Sequence, residues 1–78
     1  MGRLFTVKLW FTKLNPPVLH GLIPNIGRRR LMERLGRLGV LDLERHRAGE
    51  GRYWVELGGG YALEIVERRA GGRTVTLS

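Results

Sequence analysis

The sequence predicts an α+β fold in the order β-α-α-β-β-β-β. An N-terminal strand precedes a short helical pair, and an antiparallel four-stranded β-meander then packs on the second, basic helix. Three observations predict it. Residues 3–11 alternate with period two, residues 26–38 repeat leucine at helical spacing, and short alternating runs separated by glycine-rich turns follow Gly39.

The first strand puts Phe5, Val7, Leu9 and Phe11 on one face and Leu4, Thr6, Lys8 and Trp10 on the other. Asn15-Pro16-Pro17 ends it and suits a helix start, because Asn caps well and Pro is tolerated in a first turn. Val18, Leu19, Leu22 and Ile23 follow helical spacing until Pro24, so residues 16–22 read as one or two helical turns. Asn25 caps a second helix, residues 26–38, and Gly39 is placed as its C-terminal cap. Beyond it, Leu41, Leu43 and Arg45 share a strand face. The turn Ala48-Gly49-Glu50-Gly51 then leads into residues 52–57, where Tyr53, Val55 and Leu57 align as the second arm of a hairpin. Gly58-Gly59-Gly60 precedes a strand marked by Tyr61, Leu63 and Ile65, and Ala70-Gly71-Gly72 precedes a last strand over residues 73–78. The expected core is Phe5, Val7, Leu9, Leu31, Leu35, Leu38, Leu41, Leu43, Val55, Leu63, Ile65 and Val75. Leu4, Trp10, Trp54 and Val66 find no place in it. Either the sheet curls into a partial barrel or these residues meet another subunit.

The 78 residues suit a single small domain, 1–78, whose limited core leaves stability marginal. Without cysteine there is neither a disulfide nor a thiolate metal site, which fits a reducing, cytoplasmic setting. His20 and His46 are too few for a metal cage, and no cofactor is expected. No stretch approaches the roughly 20 apolar residues of a transmembrane helix, and the N-terminal segment lacks a signal peptide's long apolar run. An enzyme is not expected. The single serine is Ser78, no histidine has an evident orienting acid, and Gly58-Gly59-Gly60 lacks the Gly-Lys-Ser/Thr ending of a phosphate loop. Asp42 and Glu44 share a strand face and could hold a metal or a proton, but opposite charges on the neighbouring strand are the expected partners.

Net charge is +7, from 14 basic and 7 acidic residues, and the pI is near 11.3. Such an excess favours nucleic acid, an anionic membrane or an acidic protein as partner. Arginine dominates the basic set, and its planar donor fork suits phosphate; GC-rich codon usage accounts for part of the enrichment. The segment Arg28 to Leu38 concentrates the charge. Leu31, Leu35 and Leu38 form one helical face, and Arg29, Arg30, Arg34 and Arg37 form another. Arg28, Arg29 and Arg30 in a first turn oppose the helix dipole unless an anion sits at the same end.

Residues 16–22, the turn at 23–25, the helix at 26–38 and the hairpin at 40–57, with Arg45, Arg47 and Arg52 around its turn, resemble the C-terminal part of the winged helix-turn-helix DNA-binding fold. That family carries another helix before the pair, where this chain has a strand, and two further strands follow the hairpin here. The resemblance implies that Arg28, Arg29, Arg30 and Arg34 face DNA and that Arg47 and Arg52 are wing residues. With Arg37 they form the candidate nucleic-acid-binding set, whose partner is DNA or RNA. An alternative site is the sheet. Trp10, Phe11, Trp54 and Tyr61, with Lys8, Lys13, Arg52 and Arg73 nearby, are similar in type to the stacking surface of oligonucleotide-binding barrels. A different function is a protein-interaction or assembly factor, for example a phage or mobile-element accessory protein binding a host protein, that docks or oligomerises through its strand faces. Peripheral membrane binding through the basic helix is weaker, because the sheet needs the leucine face.

Overall fold

A computed structural model describes residues 3–69, and the expected last strand at 73–78 and Val75 lie outside them. Five strands form one antiparallel sheet: β1 (Arg3–Phe11), β2 (Val18–Gly27), β3 (Arg47–Gly49), β4 (Arg52–Gly58) and β5 (Tyr61–Arg69). Their spatial order is β2-β1-β5-β4-β3. One helix, α1 (Arg28–Arg37), and a 3₁₀ turn (Leu43–His46) lie between β2 and β3. Among the described residues the order is therefore β-β-α-β-β-β, which replaces the expected β-α-α-β-β-β-β.

The largest correction is at residues 16–22. They form no helix: Pro16 and Pro17 close a bend, and Val18–Leu22 are the first half of β2, an edge strand paired with β1. The reason is a pair of β-bulges. Leu9 pairs with Gly21 but Trp10 with Leu19, leaving His20 extra; Phe5 pairs with Ile26 but Val7 with Ile23, leaving Pro24 and Asn25 opposite Thr6. Residues facing the same side as Phe5, Val7, Leu9 and Phe11 are thus Ile26, Ile23, Gly21 and Val18. Each bulge adds a residue, so a period of two is stretched toward helical spacing. Pro24, which has no N–H to donate, sits in a bulge of an edge strand, where it is tolerated. Asn25 takes the left-handed conformation (φ 60°) that lets the chain turn there.

The second correction concerns residues 26–46. Ile26 and Gly27 end β2, so the helix begins at Arg28. Residues 41–45 are not a strand. The Asp42 side chain accepts a hydrogen bond from the Glu44 N–H (3.1 Å) and caps the 3₁₀ turn, so β3 keeps only three residues.

One hydrophobic core joins the helix to one face of the sheet. Leu31 and Leu35 of α1, with Val40 and Leu43 beyond it, meet Phe5, Val7, Ile26, Tyr53, Val55, Leu63 and Ile65. Leu9 is only partly buried. Leu38 and Leu41, both expected inside, are 54% and 82% exposed. The helix ends with Gly39 at φ 86°, whose N–H donates to Gly36 (3.0 Å), while the Val40 N–H donates to Leu35 (2.9 Å). This closure brings Val40, not Leu38 or Leu41, under the helix.

The opposite face of the sheet carries no helix among the described residues. Trp10 donates its indole N–H to Glu64 (3.0 Å), Arg52 bonds the other Glu64 oxygen (2.8 Å), and Trp54 donates to Glu56 (2.8 Å). The rings and carboxylates lie among these central strands and Ala62 beneath is fully buried. No helix is long and apolar enough to cross a membrane among the described residues.

Candidate nucleic-acid interface

The run from Arg28 to Arg37 is rich in Arg, Leu, Met and Glu, which favour helix, so it turns helical as soon as β2 ends at Gly27. Burial of Leu31 and Leu35 then fixes its rotation. With about 100° per residue, Arg30, Arg34 and Arg37 fall on one flank and Arg29 on the other. Glu33 lies between them, at the pole farthest from the sheet. Arg28 occupies the first turn. All five arginines are exposed, and none makes an ion pair among the described residues. The stripe from Arg30 to Arg37 runs about 10 Å along the axis.

The helix ends differ electrostatically. Arg34 and Arg37 in the last turn complement the dipole, whereas the first turn holds three arginines and no acid. Gly27 supplies no side-chain cap, so the first-turn N–H groups and the Arg28–Arg30 guanidiniums point the same polarity toward solvent.

The remaining arginines of the candidate set are spent on the molecule itself. Arg47 holds Glu44 through Nε (3.0 Å) and a second nitrogen (3.4 Å), and its guanidinium lies 5.6 Å from the Tyr53 ring centroid. The Tyr53 hydroxyl donates to the same carboxylate (3.3 Å). The Arg47 hydrogen bond holds the Glu44 carboxyl below its ordinary value, and Glu44 in return raises Arg47. Burial, then the Glu44 charge, raises the Tyr53 phenol. Arg52 lies on the opposite sheet face against Glu64. Burial pushes the Glu64 carboxyl up, but the Trp10 and Arg52 hydrogen bonds and the Lys8 charge outweigh it and the net shift is downward. Arg3 pairs with Glu67 (2.6 Å) and Arg45 with Asp42 (3.7 Å). A neighbouring hollow of about 360 Å³, lined by Arg3, Arg47, Glu50, Gly51 and Glu67, carries both signs of charge.

The fold thus brings together Arg28, Arg29, Arg30, Arg34 and Arg37 on one helix; Arg28 lies near enough to the Glu44 carboxylate held by Arg47 to lower its pKa further, while Arg52 lies on the other face of the sheet. The expected helical pair is not formed, because Val18–Gly27 is strand β2, whereas Arg47 and Arg52 do lie on the antiparallel pair β3 and β4. No family model, curated protein or solved structure matches the chain. Among the described residues no three His, Cys, Asp or Glu side chains converge as a metal site. Sequence reasoning missed Glu64 as the partner of Trp10 and Arg52. The parity of β1, β4 and β5 was readable, but the pairing of β1 with β5 that places them side by side was not.

Proposed function

We propose that the chain is a nucleic-acid-binding module that grips phosphates with the outer surface of α1. The observation that carries this reading is a division of labour among arginines. Four, Arg3, Arg45, Arg47 and Arg52, form ion pairs with the molecule's own carboxylates, while the five exposed arginines on α1 form none among the described residues, only the Arg28 charge reaching Glu44. An uncompensated arginine stripe is costly in self-repulsion and is relieved by a polyanion. Helix width, about 10–12 Å, matches a DNA major groove of about 12 Å. The test is a mobility shift on duplex DNA, single-stranded DNA and RNA at low salt, with Arg30, Arg34 and Arg37 changed to Ala in parallel. Binding that falls by about tenfold or more in the variant supports the reading. Absence of binding to all three polymers ends it.

A second reading, a docking or assembly subunit, is favoured by the sheet face that no helix covers among the described residues, with Trp10, Trp54 and the exposed Leu19 and Leu22. Light scattering separates the two: a stable oligomer without nucleic-acid affinity favours the second.

A further inference from the structure

The helix is too short for the sheet it covers. Ten residues of α1 span about 15 Å, whereas nine residues of β1 or β5 span about 30 Å. The helix-side face of the sheet therefore continues past the C-terminal end of α1. Leu9, Phe11 and Tyr61 form that ledge, with Phe11 and Tyr61 packed ring on ring at 5.1 Å and the His20 ring of β2 against both, at 5.8 and 5.6 Å. Next to the ledge, between α1 and Val7, Ile23 and Leu63 of the sheet, there is an apolar crevice of about 160 Å³. Its walls include Ile23, Leu38 and Leu63, and its one charged lining residue is Arg34.

We propose that this crevice is a docking site for an acidic amphipathic helix of a partner protein. Charge complementarity selects the occupant. Arg34 lines the crevice, Arg37 follows it one turn later on the same flank of α1, and the Lys13 side chain lies across Gly60 in the turn before Tyr61; none of the three is ion-paired among the described residues. No described acid borders it. Glu33 is on the outer pole of α1, and Asp42, Glu44 and Glu67 are held by arginines elsewhere. Glu56 and Glu64 are on the other sheet face, and Glu50 is in the β3–β4 turn. A helix is favoured over an added strand. The β2 edge is broken by its two bulges and β3 has three residues, so neither edge offers a long regular ladder. An apolar stripe then enters the crevice beside Leu38 while carboxylates reach Arg34 and Arg37.

The test needs no nucleic acid, so its failure is separate from that of the phosphate-binding reading. The isotopically labelled full chain is titrated with a synthetic helix of about five turns, with Leu at i, i+3, i+4 and i+7 and Glu between. Two companions are used: one with the same composition scrambled, one with Gln in place of Glu. The expected result is at least about tenfold tighter binding of the acidic amphipathic peptide than of either companion. The largest amide shifts are expected at Ile23, Leu38 and Leu63. Leu38→Asp, a change at an exposed position, weakens binding by about tenfold or more, and Arg34→Gln does so as a second variant. Equal binding of either companion, or shifts centred on Trp54 and Val66, overturns the proposal. So does self-association of the chain alone that Leu38→Asp abolishes, since the occupant is then a second copy.

Discussion

Replacing Arg30, Arg34 and Arg37 by Ala should change how binding responds to salt, and the size of the change follows from counting charges. Each phosphate neutralised on B-DNA contributes about −0.9 to the slope of log affinity against log salt. If all five α1 arginines engage phosphates, the slope is about −4.5, and affinity falls about 500-fold between 50 and 200 mM salt. Removing three of the five leaves a slope near about −1.8 and a fall of only about 12-fold over the same range. The three side chains are exposed and unpaired among the described residues, so the fold should survive, which circular dichroism checks. The assay is fluorescence anisotropy on a labelled duplex at several salt concentrations. The control is Lys8→Ala with Arg68→Ala, which removes two positive charges from the opposite sheet face. Its slope should stay within about one unit of the parent. An unchanged slope in the triple variant refutes the reasoning. Equal flattening in triple variant and control shows that net charge, not α1, binds the polymer.

Other consequences follow from single side chains. Glu33→Gln removes the one acid among the outer arginines and should tighten low-salt binding about two- to fivefold, the scale of about 1 kcal/mol for two charges 4 Å apart in water; weaker binding would show that the carboxylate itself contacts the polymer. Glu64→Gln weakens the bonds from Trp10 and Arg52 to a carboxylate that is only 15% exposed, and should cost about 1–2 kcal/mol, or several degrees in melting temperature. Because Glu64 titrates below its ordinary value, its stabilising contribution is complete above the unfolded carboxylate range near about pH 4.3 and is lost as pH falls through the lower folded value. The Gln variant should therefore lose less stability than the parent on acidification, and an identical acid profile would remove Glu64 from the account. Leu35→Ala opens a cavity under α1, where Leu35 is 1% exposed, and should cost about 2–5 kcal/mol in a denaturant melt; a loss under about 1 kcal/mol would mean the helix is not anchored there.

How far the fold was legible depended on how regular each segment is. Strand β1 was readable because Phe5, Val7, Leu9 and Phe11 hold strict alternation over its whole length. The arginine helix was readable because Leu31 and Leu35 sit one turn apart with good helix formers between. Strand β2 was not, since bulges at His20 and at Pro24–Asn25 disguise its period. Leu41 was misplaced because nothing local announces that Val40 turns inward after Gly39 while Leu41 turns out. Of the candidate site, the α1 arginines could be named from spacing alone. The pairing of Arg47 with Glu44 and of Arg52 with Glu64 could not, because carboxylate partners are chosen by packing.

The sequence by itself determined the charge excess, the amphipathic basic helix and the alternating strands, since each is written within a few neighbouring residues. The tertiary structure alone decided which strand lies beside which, and with it which guanidiniums are neutralised and which remain free. The reason is range. The Arg3–Glu67 and Trp10–Glu64 contacts join residues 64 and 54 positions apart, and only the closure of β1 onto β5 brings them within hydrogen-bonding distance.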